Sequence, residues 1–144
     1  MTITEFLEAR IAEDEELAKL ASFGWGAIWT AVSNHEDEWY TIRAEGKREV
    51  VGGEDSDVIA HIARHDSARV LAECAAKRKL IDSQFYYAVE IDSEWGCGCS
   101  EGEIRANKCE NFNLTDGGKL GMPILEALSS VYSSHPDYRQ EWAL

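Results

Sequence analysis

The sequence is short of positive charge, of proline and of long apolar runs, and each shortage closes off a class of protein. Lys and Arg number 14 against 27 Asp and Glu, a formal charge of −13. Proteins that bind nucleic acid in general draw on Lys and Arg to neutralise phosphate, so direct nucleic-acid binding is not expected. The imbalance favours solubility and, if any macromolecule, a basic protein partner. No stretch approaches the roughly 18 to 20 apolar residues of a membrane helix. The opening MTITEFLEARIAEDEELAKL is acidic and amphipathic, without the basic start and apolar centre of a signal peptide. The expected location is the cytoplasm, with no membrane partner. Only 2 Pro are present, which argues against long disordered tracts. No internal repeat or low-complexity segment is visible.

A recognisable catalytic signature is also missing. His61 and His65 stand four apart and share one side of a helix, but the intervening IAR lacks the glutamate of a metalloprotease H-E-x-x-H motif. Ser133 and Ser134 adjoin His135 and Asp137, yet outside any G-x-S-x-G elbow. His135-Pro136-Asp137-Tyr138 reads as turn chemistry.

What is present points to a folded α+β chain. The 144 residues fit one domain, 1–144, and 44% of them are hydrophobic, including 5 Trp. Residues 2–23 read as a helix: Thr2 and Glu5 match a capping box, and Ile3, Phe6, Leu7 and Ile11, then Leu17, Leu20 and Ala21, approximate one apolar stripe. Gly24 is the stop. From Trp25 the period shortens, and two or three antiparallel strands are expected between 26 and 52. Asp55 or Ser56 caps a second helix, and Asp66 caps a third that starts near Ser67. Val70, Cys74, Arg78, Ile81, Phe85, Ala88 and Asp92 recur at three and four, which carries that helix to about residue 91. The rival reading breaks it at Asp82-Ser83 and makes QFYYAVEI a strand. A cysteine-rich loop of about 93–121 follows, least structured at TDGGKLG. A helix from Pro123 through Tyr132 and a final short turn near Pro136 close the chain. The tryptophans are expected to cover the helices as core, with Trp142 docking the tail.

The cysteines carry the one candidate site. Cys97, Cys99 and Cys109 fall between SEW and ENF, separated by small and polar residues. A tetrahedral zinc ion takes about four soft or borderline donors. Cys97-Gly98-Cys99 brings two thiols close, and Cys109 returns a third after a short excursion. Structural zinc is thus the candidate cofactor, with His135 the expected fourth ligand and His61, His65, Cys74 or a carboxylate such as Glu94 as alternatives. An inert or redox-sensitive thiol cluster remains the competing reading. Cys74, among Val70 and Leu71, reads as a buried neutral thiol.

Two stretches, HIARHDSARVLAECAAKRKLID and YSSHPDYRQEW, resemble the family called domain of unknown function 6221, small proteins of actinobacteria and their phages. The likeness spans most of the chain and is most specific at 61–82 and 135–142. The resemblance implies an accessory gene of a phage or mobile element, acting inside a bacterial cell, and no particular activity. Relatives often carry a cysteine just before the proline of the last helix, where this chain has Met122. That departure calls for a histidine or carboxylate to complete a zinc site. The resulting expectation is a small cytoplasmic accessory protein that binds an unidentified host or phage protein. The rivals are a small zinc hydrolase or nuclease using His61, His65 and a cysteine or carboxylate, and an acidic mimic of nucleic acid built on Glu5, Glu8, Glu13, Asp14, Glu15 and Glu16.

Overall fold

The computed structural model describes residues 1–34, 39–45, 48–53, 55–110 and 123–143. The architecture is α+β: an N-terminal helix, a three-stranded antiparallel sheet, a long central helix and a C-terminal helix. The chain divides into two compact units, one of residues 1–11 and 76–144, the other of residues 12–75, so that the boundaries fall inside two helices. Among the described residues, no helix is long and apolar enough to cross a membrane.

Helix α1, Ile3–Ser22, opens as a capping box. The Glu5 carboxylate accepts from the Thr2 N–H at 2.8 Å, and the Thr2 hydroxyl accepts from the Glu5 N–H at 3.2 Å, so two helix-end donors satisfy each other's residues reciprocally. Its apolar stripe is not single. Ile3, Phe6, Leu7 and Ile11 are buried, whereas Leu17 and Leu20 are 66% and 64% exposed. Gly24 at φ +74 takes the left-handed conformation that ends the helix.

In the unit of residues 12–75, strands β1 (Trp29–Asn34), β2 (Trp39–Ala44) and β3 (Arg48–Gly53) pair in sequence order. Ile42 of the central strand is fully buried and clusters with Ile59 and Ala63 of helix α2, Ser56–Arg64. The i, i+4 spacing of Ile59 and Ala63 puts both on the face that meets the sheet. Asp55 is the cap: its carboxylate accepts from the Asp57 and Val58 N–H groups at 2.9 and 3.0 Å. Asp66 does the same for helix α3, Ser67–Trp95, accepting from the Arg69 N–H at 2.8 Å, and its second oxygen accepts from the Trp29 N–H at 3.2 Å. One capping side chain thereby holds the start of β1 to the start of α3. Trp29 packs on the Ile42 cluster, but Trp25 and Trp39 are 38% and 41% exposed, which corrects the expectation that these rings are core.

In the other unit α3 continues without a break at Asp82-Ser83. Its inward stripe is Ile81, Phe85, Ala88 and Asp92, all at 2% exposure or less. The stretch QFYYAVEI is helix, because a strand would put Phe85 and Ala88 on opposite faces while a helix puts both against the core. Phe6 lies at the centre of an aromatic group, with ring centroids of Tyr132, His135, Tyr138 and Trp142 between 5.0 and 6.2 Å away. Trp142 is wholly buried, so the tail is docked. Helix α5, Pro123–Ser130, ends two residues before the expected Tyr132, and a 3-10 turn Gln140–Trp142 follows.

The expected loop of about 93–121 is partly regular. Helix α3 takes its start up to Trp95, and residues Glu101–Arg105 form a short helix, α4. The reason is local: Ser100 and Glu103 make a second capping box, with the Ser100 N–H donating to the Glu103 carboxylate at 2.8 Å. TDGGKLG and Met122 lie outside the described residues.

Candidate metal centre

Asp92 sits at the last inward position of α3, 1% exposed. The helix runs on to Trp95, the Gly96 N–H still donates to the Asp92 carbonyl at 2.9 Å, and the backbone then turns back over the carboxylate. Asp92 Oδ1 accepts from the Cys97 N–H at 3.3 Å and Oδ2 from the Cys99 N–H at 2.5 Å. Gly98, between them, has φ +75 with open space where a Cβ would stand. A left-handed residue at this point lets two successive thiols face one side, a conformation that costs glycine nothing.

Cys109 returns by way of α4. Ile104, fully buried, anchors that helix. Arg105 crosses to Asp82 of α3 at 2.8 Å while holding Glu101 at 2.7 Å, its guanidinium 4.1 Å from the centre of the Phe85 ring. Burial opposes the Arg105 charge, and the bonds from Glu101 and Asp82 outweigh that, holding its pKa above the ordinary value. Asn107, with φ +55, then reverses the chain, and the Lys108 N–H donates to the Glu103 carbonyl at 2.9 Å. The Cys109 sulfur arrives buried beneath the turn.

The result is four donors around one point. Cys97 Sγ lies 3.0 Å from Cys99 Sγ and 3.6 Å from Cys109 Sγ. The Asp92 carboxylate stands 3.6 and 3.7 Å from Cys97 Sγ and 3.5 Å from Cys109 Sγ. All four ligand atoms fall within 4.8 Å of one another, close enough to hold a metal ion together. A regular tetrahedron with zinc bond lengths has S···S edges of about 3.8 Å and S···O edges of about 3.6 Å. The Cys97–Cys109 edge and the edges from Asp92 to Cys97 and to Cys109 lie near these values, and the Cys97–Cys99 edge is shorter. The thiols also share protons. Bonds from Cys99 and then Cys109 hold Cys97 below the ordinary thiol range, and the bond to Cys97 pushes Cys99 well above it.

The structure brings together three of the four expected ligands, Cys97, Cys99 and Cys109, and supplies Asp92 where His135 was expected. His135 is engaged elsewhere. Arg10 Nη1 lies against both ring nitrogens, 2.9 Å from Nδ1, the Asp137 N–H donates to Nδ1 at 3.1 Å, and the ring packs on Phe6. Neither Glu94 nor Cys74 joins the group; Cys74 is a buried thiol on α3. His65 turns Nδ1 to the His61 carbonyl at 2.9 Å, and among the described residues neither histidine belongs to a group of three or more donors. Asp92 did leave a signal in the sequence: it is the one acid on the three-and-four stripe of α3, five residues before Cys97.

Comparison with known proteins bears on the chain as a whole. The model of a family of unknown function, DUF6221, matches residues 1–144. The chain belongs to that family. No match is found among the curated proteins or among the solved structures. Membership accounts for the resemblance at 61–82 and 135–142 and supplies no activity.

Proposed function

We propose that this protein is a recognition module: a small accessory protein that binds another protein through the unit of residues 12–75, while zinc held by Asp92, Cys97, Cys99 and Cys109 staples the return of the chain in the other unit. The observation that carries the binding half is the apolar surface of α1 and its continuation. Leu17, Leu20, Phe23 and Ile28 are between 59% and 84% exposed, and Leu17 also lines a groove of about 300 Å³ with Ala18, Ala21, Trp29 and Val70, with Asp14, His65 and Ser67 at its polar points. Large apolar side chains gathered at a groove and rimmed by polar groups are the usual mark of a protein-binding surface. The chain's net charge selects for a partner with basic residues around an apolar anchor.

The metal half follows from the donor set. Thiolates favour zinc and other thiophilic metals over magnesium or calcium. Three sulfurs and a carboxylate complete a tetrahedron, leaving no position for substrate, which is the pattern of a structural rather than a catalytic ion. The bacterial setting, an accessory gene of a phage or mobile element, belongs to the same proposal and rests on the family resemblance alone.

Two measurements test this. Protein purified without chelator should contain one zinc per chain, and Cys97→Ser should lose it. Immobilised wild-type protein should retain a stoichiometric partner from host lysate that a folded Leu17→Asp, Leu20→Asp variant does not retain. Equal retention by both would remove the groove from the reading.

A further inference from the structure

The metal centre carries a second chemistry in the way its sulfurs are arranged. Cys97 is exposed, Cys99 is partly exposed and Cys109 is buried. Cys97 lies 3.0 Å from Cys99 and 3.6 Å from Cys109, so Cys99 is its nearer neighbour. A disulfide needs about 2.05 Å between sulfurs, so closure of the first pair takes an approach of about 1 Å. The residue between them is Gly98, at φ +75 with nothing within 4 Å of a Cβ position, so the space beside the turn that joins the two thiols is open. Cys109 lacks that freedom: it is buried, and its sulfur lies against Asp92 Oδ1 at 3.5 Å.

We propose that Cys97 and Cys99 form a peroxide-sensitive pair whose oxidation to a disulfide discharges the metal, a proposal that rests on the metal reading above. The Cys97 thiolate attacks one oxygen of a hydroperoxide. An S–O bond forms, the O–O bond breaks, and hydroxide leaves, giving a sulfenic acid. The Cys99 sulfur then attacks the Cys97 sulfur; the S–S bond forms and the hydroxyl leaves with a proton as water. Summed over both steps, two thiols and one hydrogen peroxide give one disulfide and two waters, the two electrons passing from sulfur to the peroxide. Oxidation consumes two of the four donors. Asp92 and Cys109 alone do not complete the coordination of a zinc ion, so the ion is lost. A ring closed over a single intervening residue is strained, and strained, exposed disulfides are the readily reduced, regulatory ones. Thiol reductants therefore restore the site.

The test uses the zinc-loaded full-length chain and hydrogen peroxide. Zinc release is followed with a chromogenic chelator, thiols are counted, and the crosslink is mapped by mass spectrometry. The expected result is loss of the bound zinc in step with loss of two thiols, a mass decrease of two hydrogens, a Cys97–Cys99 crosslink, and recovery of both thiols and zinc binding in dithiothreitol, with Cys74 reduced throughout. In Cys99→Ser, Cys97 sulfenic acid should accumulate and be trapped by dimedone, a readout that does not depend on that variant holding zinc. A crosslink through Cys109 overturns the pairing. Zinc that binds and stays bound in excess peroxide overturns the switch and leaves the metal reading standing. A chain that takes up no zinc overturns the metal reading itself, and with it the discharge.

Discussion

Replacing Asp92 by Asn separates the role the structure shows for this carboxylate from the metal-binding role proposed for it. It accepts the N–H groups of Cys97 and Cys99, and in the zinc-bound form proposed above it would be the one oxygen donor. Hydrogen bonds to a charged acceptor contribute about 1 kcal/mol more than neutral ones, so the change to an amide forfeits about 2 kcal/mol over two bonds. One of the two positions also becomes an NH2 facing an N–H, which adds a lost bond. The amides of Cys97 and Cys99 lie near solvent, so the total stays near about 2 kcal/mol, or about 4 to 8 °C in melting temperature for a chain of this size. With zinc the cost grows. Losing even an outer-shell partner weakens metal sites about 10- to 100-fold, and a direct ligand should weigh at least that much. Zinc bound to the native state alone adds stability in proportion to the logarithm of its affinity, so the gap between wild type and variant should widen by at least about 1.4 to 2.8 kcal/mol at saturating zinc. The assay is a pair of calorimetric melts, with chelator and with zinc. A gap of equal size in both conditions would show that Asp92 caps the cysteine turn without binding metal, and no gap in either would refute the geometry altogether.

Trp142→Ala should destabilise the chain by about 3 to 5 kcal/mol, because the indole is wholly buried against Phe6, 5.0 Å between ring centres; a denaturant midpoint within error of wild type would mean the tail is not docked. Glu103 should titrate below the ordinary glutamate value, since the Ser100 hydroxyl and then the Ser100 backbone N–H hold its charged form. With the folded value depressed, the capping box contributes in full above the unfolded glutamate pKa and fades as pH falls through the lowered folded value. Carbon-detected NMR should show that low midpoint, and Ser100→Ala should move it back toward the ordinary glutamate value. Leu20→Asp, at a position 64% exposed, should change stability by no more than about 0.5 kcal/mol while weakening partner capture. A large drop in melting temperature would place Leu20 in the core rather than on a binding surface.

Local signals in this chain were legible wherever neighbours along the sequence settle the matter. Thr2 with Glu5, Asp55, Asp66 and Gly24 each act within a few residues, so both ends of α1 and the starts of α2 and α3 follow from capping chemistry, whereas the end of α3, expected near residue 91, falls at Trp95. The stripe from Cys74 to Asp92 was equally plain, because a buried helix face repeats at three and four whatever it packs against. The three cysteines marked the site by their proximity in sequence. Three things were decided elsewhere. Leu17 and Leu20 continue the stripe of α1, but burial depends on whether another element arrives to cover them. His135 and Asp92 are both reasonable donors on paper. Only the folded chain sends His135 to Arg10 and Phe6 and leaves Asp92 facing the sulfurs, since one is set by the packing of the tail and the other by where α3 ends. Spacing along the chain determined which groups could be neighbours within a turn or two, because covalent geometry limits their reach. Which distant side chains meet was decided by how helices and turns pack, and no single stretch of sequence contains that information.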